Sequence, residues 1–507
     1  MPHRILFIVE GLGLSSTWPG NALLAARPRT FFNLFNHHSR HILQTCPAGD
    51  RHLSGLADPN FTLAAIGRGV SGKSNQDRLD ELILSHTFYD NPTLTDAILW
   101  TKRHFSSLHT ITTLSEDNIF GKPDHLEAII QLAKQKSIDR LYLHLILSQN
   151  KPDRAGLLKQ VAITQKILEK KGLGEIATIS GQNYFKTASS ERFVDTLCGR
   201  GLRALSIEQV LARAEKNNQN LSDLSPAYLI NNHTPVGILR DFDSLLFTDS
   251  APLILKQLIF SLAAGRRRHT AKSLLITTFF PLPLLSKSKA GFAFDDKISE
   301  NLISILTENG FRVAIISEGN RLPTLRQYLF PGASPDELFV PTTADSRRYI
   351  SNAAGIIDEI ARKFVEAAES KKYDFVILDL PYLVNLAQSA NFATLVRAVQ
   401  IVDEFMGKLV KFCRKQNSEI FITANAGKVE ALPNEDRRWL NLATTNPVPF
   451  IFVDPKLPEA RPIDINLQLP VSELIRLRHS LADITPTILA RFGLPVPDAM
   501  TGRPLLF

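Results

Sequence analysis

The feature that most constrains this fold is a regular alternation between short apolar runs and longer amphipathic stretches. Several of the runs are apolar on both faces, as strands covered by helices must be. They span residues 4–9, 140–147, 175–179, 273–278, 313–317, 374–380, 419–423 and 449–453. The stretches between them repeat apolar residues every three or four positions, which predicts helices over 124–136, 159–171, 297–309, 356–370 and 393–415. The alternation predicts an α/β fold with largely parallel sheets.

Two breaks divide this pattern. Glycine, serine, proline and lysine cluster at residues 69–75 and again at 279–291. A chain of 507 residues is too long for one ordinary core, so two domains are expected. If both breaks are linkers, residues 74–285 form a domain inserted into an outer domain made of residues 1–73 and 286–507.

The charge balance is basic, with a net charge of +8. The sharpest basic run is Arg266-Arg267-Arg268-His269. A basic chain attracts RNA, DNA and other polyanions. The charge is nevertheless spread along the sequence, and no RNA-binding signature or interleaved aromatic pattern is visible. The sequence therefore predicts no more than nonspecific attraction to polyanions.

The apolar segments are too short to cross a membrane. None reaches the roughly 18 apolar residues of a spanning helix, and the N-terminal run ends at Glu10, too soon for a signal peptide. Three cysteines lie far apart and form no metal-binding or disulfide pattern. We expect a cytoplasmic protein that does not contact a membrane.

Motifs in order along the whole chain resemble the cofactor-independent phosphoglycerate mutases, members of the alkaline phosphatase superfamily. In the first half they are VEGLG at 9–13, PGNA at 19–22, the segment 109–115, HLEA at 125–128 and IATISG at 176–181. In the second half they are TTNPVP at 444–449, LADITPT at 481–487 and MTG at 500–502. The resemblance implies an alkaline-phosphatase-like split domain, with a parallel-rich sheet flanked by helices, and an inserted, smaller phosphotransferase-like α/β domain.

The resemblance also implies a chemistry. Family members move a phosphoryl group between the two hydroxyls of phosphoglycerate through a serine, activated by two divalent metals, usually manganese. Three aspartates, three histidines and the serine hold those metals. In this sequence the metal positions fall on Glu10, Val384, Gln388, Asn425, Ala426 and Ala443, and the serine falls on Pro59. Apolar side chains cannot replace oxygen and imidazole ligands.

The family's phosphate-binding positions are depleted as well. Its lysine falls on Arg321, which keeps the charge but is bidentate where lysine is a point charge. The other substrate positions fall on Phe120, Asn150, Lys151, Gln182, Ala251 and Ile254. We therefore expect no catalytic, substrate-binding or metal site at these positions.

Two main functions remain open, beside a third, association with nucleic acid or the ribosome, that rests only on the basic charge balance. The first is a catalytically degenerate mutase homologue, a monomer without a metal cofactor that serves as a binding, regulatory or assembly protein with a protein partner. The alternative is a divergent active mutase, or a related phosphate-handling enzyme, that uses relocated residues such as Ser54, Glu10 and Asp117 with two Mn²⁺ ions. A shift of melting temperature on adding Mn²⁺ discriminates between them.

Overall fold

The computed structural model describes residues 4–17, 19–45, 56–57, 59–71, 75–116, 118, 121–149, 154–185, 190–248, 258–259, 261–262, 273–280, 291–293, 300–341, 349–350, 352–387, 391–431, 443–456 and 479–505. The chain divides into two compact units. Unit 1 comprises Met1–Gly72 and Ile298–Phe507, and unit 2 is Lys73–Lys297. The domain boundaries predicted from the sequence, 73/74 and 285/286, lie one residue after and twelve residues before these divisions.

Strands and helices alternate through both units. The strands are β1 (Arg4–Val9), β2 (Ser39–Gln44), β3 (Leu56–Ala57), β4 (Leu108–Ser115), β5 (Leu141–Ser148), β6 (Glu175–Gly181), β7 (Leu202–Ala204), β8 (Ala227–Asn231), β9 (Thr234–Pro235), β10 (Ser244–Phe247), β11 (Leu275–Thr278), β12 (Gly291–Phe292), β13 (Val313–Glu318), β14 (Asp336–Val340), β15 (Phe375–Leu380), β16 (Glu419–Thr423), β17 (Ala443–Thr444), β18 (Val448–Val453) and β19 (His479–Ser480).

The α-helices are α1 (Ala22–Ala26), α2 (Arg29–His37), α3 (Pro59–Arg68), α4 (Asn75–Leu84), α5 (Pro92–Arg103), α6 (Pro123–Gln135), α7 (Arg154–Lys171), α8 (Ser190–Leu197), α9 (Ile207–Lys216), α10 (Leu302–Glu308), α11 (Leu322–Tyr328), α12 (Ala353–Glu369), α13 (Tyr382–Ala387), α14 (Phe392–Lys415) and α15 (Ile484–Arg491). Short 3₁₀ turns lie at Thr87–Asp90, Gln182–Phe185, Leu221–Asp223 and Leu481–Asp483. The predicted α/β class is confirmed.

Unit 1 is built on a sheet whose centre is parallel. Among the described residues its strand order is β14-β13-β15-β1-β16-β18-β2-β19. The five strands from β14 to β16 are parallel, whereas β18 is antiparallel to both of its neighbours. Residues 5–9 of β1 are completely buried, which explains why that segment is apolar on both faces.

The long helix α14 shows how the predicted helices cover this sheet. Asn391 caps it by accepting a hydrogen bond from the Thr394 backbone N–H at 2.9 Å. The apolar stripe read from the sequence is its buried face, which includes Leu395, Val399 and Val402. Burial of that stripe against the sheet is the main force that holds such a helix in place.

Unit 2 has its own sheet, again parallel at its centre. The order is β12-β11-β10-β4-β5-β6-β8-β7, with β9 paired to β8. The strands from β12 to β6 run parallel, and β8 is antiparallel to β6. A buried polar chain crosses it: His109 contacts Asp243 at 3.2 Å and His144 at 2.9 Å, and His144 contacts Thr178 at 2.9 Å. Burial holds the pKa of His144 well below its usual value, with the His109 charge acting in the same direction.

The eight strands predicted from apolar runs are present, with ends shifted by at most two residues. The helix predicted over 297–309 is shorter, because α10 begins only at Leu302. There the Asn301 side chain accepts from the Ile303 and Ser304 N–H groups, and Ser304 accepts from the Asn301 N–H, a capping box that fixes the start. Within the described part of the chain, no helix is long and apolar enough to cross a membrane.

Candidate functional site

The candidate site of unit 1 lies where the central parallel strands end. Glu10 directly follows β1, Asp379 lies near the end of β15, and Asn425 follows β16. All three side chains are buried. Asp379 and Thr423 both stand opposite Ile8 in the ladder, on either side of β1. Because parallel strands bring their carboxyl ends to one edge of the sheet, these polar groups converge there.

The Arg321 guanidinium lies between two of these side chains, the carboxylates of Glu10 and Asp379. The Nη2 of Arg321 lies 2.9 Å from Glu10 Oε2, and its Nε lies 3.5 Å from Asp379 Oδ2. These are ion pairs by distance without the alignment of hydrogen bonds. Asn425 Nδ2 donates to the other Glu10 oxygen at 3.3 Å, and Ser317 Oγ donates to Asp379 Oδ2 at 2.7 Å. The Arg321 guanidinium thus compensates both carboxylates from within the protein.

A third buried carboxyl, Glu318, lies beside this group. Tyr349 donates its hydroxyl to Glu318 Oε1 at 2.6 Å, and Asn385 Nδ2 donates to Oε2 at 3.1 Å. Burial raises the pKa of Glu318 to about 7, and the nearby Asp379 and Glu10 charges add to the effect of burial, against these two hydrogen bonds. Burial also raises the pKa of Asp379 to about 6, although the Arg321 guanidinium opposes it. This edge therefore takes up and releases protons near neutral pH.

The Glu318→Gln variant tests that electrostatic arrangement. Glu318 has a raised pKa in the folded chain, so the protonated form is favoured there. Its contribution to stability is fully present below about pH 4.5 and is lost as pH rises through about 7. Relative to Glu318→Gln, the wild type should lose about 3 kcal/mol of unfolding free energy between pH 5 and pH 8. Urea unfolding at several pH values measures this difference. The control Glu366→Gln, at an exposed surface pair, should show no such trend; a flat difference for Glu318→Gln as well would refute the assignment.

A fourth carboxylate, Glu430, holds the neighbouring loops together. Its Oε2 accepts from the Lys428 N–H at 2.8 Å, and its Oε1 accepts from Asn446 Nδ2 at 3.0 Å and from the Thr444 hydroxyl. A side chain at Gly427 would put its Cβ 2.3 Å from Glu430 Oε1, so only glycine leaves room for this carboxylate. Burial lowers the pKa of Lys428 to about 8, opposed by the Glu430 charge.

The fold brings together the described positions that the resemblance assigns to metal ligands. The Gly11 N–H donates to the Ala426 carbonyl at 2.9 Å, and Ala426 packs against Ala443 in a small buried cluster. A Cβ at Gly11 would lie 3.0 Å from the Val384 methyl Cγ2. The positions assigned by the resemblance thus share one region with Glu10 and Asn425.

Of the remaining predicted positions, Pro59 and Gln182 lie within the described residues, and Pro59 is two residues beyond Ala57, which pairs with Ala443. Pro59 begins helix α3. In unit 2, Gln182 follows β6, is buried, and lies 3.5 Å from the Ser222 hydroxyl through its Nε2. The positions that lie outside the described residues are Gln388, Phe120, Asn150, Lys151, Ala251, Ile254, Ser54 and Asp117.

The described residues do not fit the two metal ions that the resemblance implies. Val384, Ala426 and Ala443 carry no ligand atom, and the Glu10 carboxylate is already compensated by Arg321. In the described ranges, no group of three or more His, Cys, Asp or Glu side chains is arranged to hold a metal ion. One carboxylate is a poor site for a hard divalent cation, which prefers several oxygen ligands.

Sequence reasoning missed Asp379, Glu318, Tyr349, Asn385 and Glu430. The first two left a usable signal, since each is an acidic residue at the carboxyl end of an otherwise apolar strand. Such a residue costs free energy when buried unless it has a partner. The other three reach the site from loops or a short helix, and no local pattern marks them.

Comparison with known proteins identifies the family over nearly the whole chain. The sequence pattern of the Metalloenzyme superfamily matches residues 3–496. The chain belongs to the Metalloenzyme superfamily. Among curated relatives, the 2,3-bisphosphoglycerate-independent phosphoglycerate mutase of Clostridium botulinum (strain ATCC 19397 / Type A) is 25% identical over 99% of both chains. The enzyme of the same name from Clostridium acetobutylicum is also 25% identical to this chain. The match covers 99% of this chain and 98% of the Clostridium acetobutylicum enzyme.

A solved structure supports the fold. The phosphoglycerate mutase of Leishmania mexicana, crystallised at low cobalt concentration, matches with a TM-score of 0.78 and 16% identity. The match covers 99% of this chain and 97% of that one. The resemblance to the mutases predicted from the sequence motifs is confirmed over the full length of this superfamily member.

Proposed function

We propose that this chain is a catalytically degenerate homologue of the cofactor-independent phosphoglycerate mutases that acts by binding a partner. One observation carries the proposal: the Arg321 guanidinium lies 2.9 Å from Glu10 and 3.5 Å from Asp379. Arg321, a residue of the chain itself, therefore supplies the positive charge that these carboxylates require. A monomeric, cytoplasmic protein without a resident metal is part of the same proposal.

The surrounding positions support this proposal. Two-metal phosphoryl transfer needs several hard ligands and a nucleophile, and the described positions offer Val384, Ala426 and Ala443 instead. The nucleophile position, Pro59, has no hydroxyl. Removing a nucleophile or its activating partner typically costs many powers of ten in rate, and the losses of residues that act as a unit do not add.

The alternative, an active divergent enzyme, has one observation in its favour. Asp379 Oδ1 and Asn425 Oδ1 are buried and have no hydrogen-bond partner among the described residues. Buried oxygen acceptors in a polar pocket are the kind of atom that holds water or a hard cation. A metal-binding experiment therefore separates the two functions.

Mn²⁺ should leave the melting temperature of the purified protein unchanged within about 1 °C, because the described part of the chain offers no group of three or more His, Cys, Asp or Glu side chains arranged to hold a metal ion. A site with a Kd of about 10 μM would instead gain about 2.7 kcal/mol from 1 mM Mn²⁺, which shifts the melting temperature by several degrees. Differential scanning calorimetry with 1 mM Mn²⁺ or with EDTA measures the difference. A shift of several degrees, together with stoichiometric manganese after dialysis, would favour the active alternative.

A further inference from the structure

Unit 2 carries an exposed aromatic surface that the proposed function does not yet use. The aromatic platform consists of Trp100 and His104 in and after helix α5, Phe105, and Phe242 just before β10. The rings of Trp100 and His104 have centroids 4.0 Å apart. The His104 and Phe242 rings stack in parallel at 5.1 Å. Trp100, His104 and Phe242 thus form one stacked aromatic group, and Phe105 follows His104 directly in the chain.

Two rings of the platform are exposed to solvent. Phe105 is 86% exposed and Phe242 is 44% exposed. Both have left-handed backbones, with φ of 51° for Phe105 and 67° for Phe242. Glycine or asparagine normally fills such positions, and a bulky residue there is an outlier. The fold accepts this strain and leaves the rings in water, which points to a use outside folding.

Hydrogen bonds hold the platform in place. The Phe242 carbonyl accepts from Trp100 Nε1 at 2.8 Å and from Ser106 Oγ at 2.7 Å. The Phe105 carbonyl accepts from the Arg140 guanidinium. The buried Asp243 carboxylate accepts from the Ser107 and Arg240 N–H groups at 2.7 and 2.6 Å, and so ties together the two loops that carry the phenylalanines. These bonds fix the backbone from which the two phenylalanine rings project, which lowers the cost of ordering the surface when a ligand binds.

The flanks of the platform are mainly cationic. The neighbouring cations are Lys102, Arg103, Lys136, Arg140 and Arg240, and the exposed carboxylates are Asp96, one helical turn before Trp100, together with Asp139 and Asp241. Lys102 Nζ reaches the Lys136 carbonyl at 3.4 Å, so these two segments are adjacent. The Phe242 N–H donates to the Ser273 carbonyl at 2.8 Å, and in the sequence Ser273 follows shortly after Arg266-Arg267-Arg268. The candidate surface does not include that run, whose placement lies outside the described residues.

We propose that the aromatic platform binds single-stranded nucleic acid, with bases stacked on Phe105 and Phe242 and phosphates held by the flanking cations. Open rings within a cationic surface are the features by which proteins bind single strands without reading sequence. A protein partner would also use aromatic anchors, but five cations against three carboxylates favour a polyanion. The aromatic and basic residues of this surface come from separate segments of the chain. The sequence therefore shows no interleaved aromatic and basic pattern.

The test uses the full chain and a fluorescein-labelled 16-nucleotide oligouridylate. Fluorescence anisotropy is measured at 50 and 200 mM KCl for the wild type, for Phe105→Ala/Phe242→Ala, and for Phe392→Ala. Phe392 is 40% exposed in unit 1 and is the matched control. The rings removed are on the surface, and circular dichroism verifies folding of each variant.

We expect the double variant to bind the oligonucleotide at least about tenfold more weakly than the wild type at each salt concentration, since stacking on one ring is worth about that factor or more. Phe392→Ala should bind like the wild type. The proposal is overturned if the wild type does not bind at 50 mM KCl, which would leave the platform to a protein partner, or if the double variant binds as well as the control. It stands apart from the proposed function, because absence of turnover and oligonucleotide binding are measured separately.

Discussion

Replacing Arg321 by methionine is expected to lower the free energy of unfolding by about 3–5 kcal/mol at pH 8. Methionine keeps the length and apolar stem of the side chain but removes the guanidinium. Glu10 then retains Asn425 as its side-chain donor among the described residues, and Asp379 retains Ser317. Breaking a buried pair is costly because it leaves a charge without compensation where water cannot reach it.

The pH dependence of this loss identifies its cause. Burial raises the pKa of Asp379 to about 6 even beside Arg321, so protonation of this carboxyl removes a buried charge, and the difference between wild type and Arg321→Met should shrink as pH falls from 8 to 5. The double variant Glu10→Gln/Arg321→Met should recover part of the stability at pH 8, since one of the two charges is gone. Urea unfolding curves at both pH values supply the measurements.

Arg326→Met is the matched control. Arg326 pairs with Glu337 on the surface, with its side chain 51% exposed, and such pairs contribute about 0–1 kcal/mol. An Arg321→Met variant that loses no more than this control, or loses as much at pH 5 as at pH 8, would show that the guanidinium does not compensate buried charge.

The sequence predicted much of the fold because that part rests on local periodicity. The run at residues 4–9 is apolar on both faces, and β1 is buried between β15 and β16 as that pattern requires. The stripe within 393–415 likewise became the buried face of α14. Burial of apolar surface acts on each segment separately, so it can be read without knowing the neighbours.

The site was less predictable because its contacts join distant segments. Tyr349 donates to Glu318, thirty-one residues earlier, and Asn425 donates to Glu10, 415 residues away. The resemblance to the family motifs identified Glu10 and Arg321 as site positions. It did not predict the ion pair between them. The role of Arg321 as an internal counter-ion follows only from its position between two carboxylates, which periodicity does not encode.

The largest expected effect concerns turnover. With 3-phosphoglycerate and 1 mM Mn²⁺, we expect kcat/KM to be at least about 10⁴-fold below that of an intact mutase, because the nucleophile and the ligand set act as a unit. Arg321→Lys, which restores the residue type that the resemblance assigns to this position, should be equally inactive. The positive control is the Clostridium botulinum mutase, 25% identical to this chain.

The decisive measurement is ³¹P NMR of the purified protein with 3-phosphoglycerate and Mn²⁺, with Glu10→Ala purified in parallel to expose any contaminating host mutase. We expect no 2-phosphoglycerate above the level of the Glu10→Ala preparation. Turnover within about a hundredfold of the intact mutase, lost in Glu10→Ala and in EDTA, would contradict it.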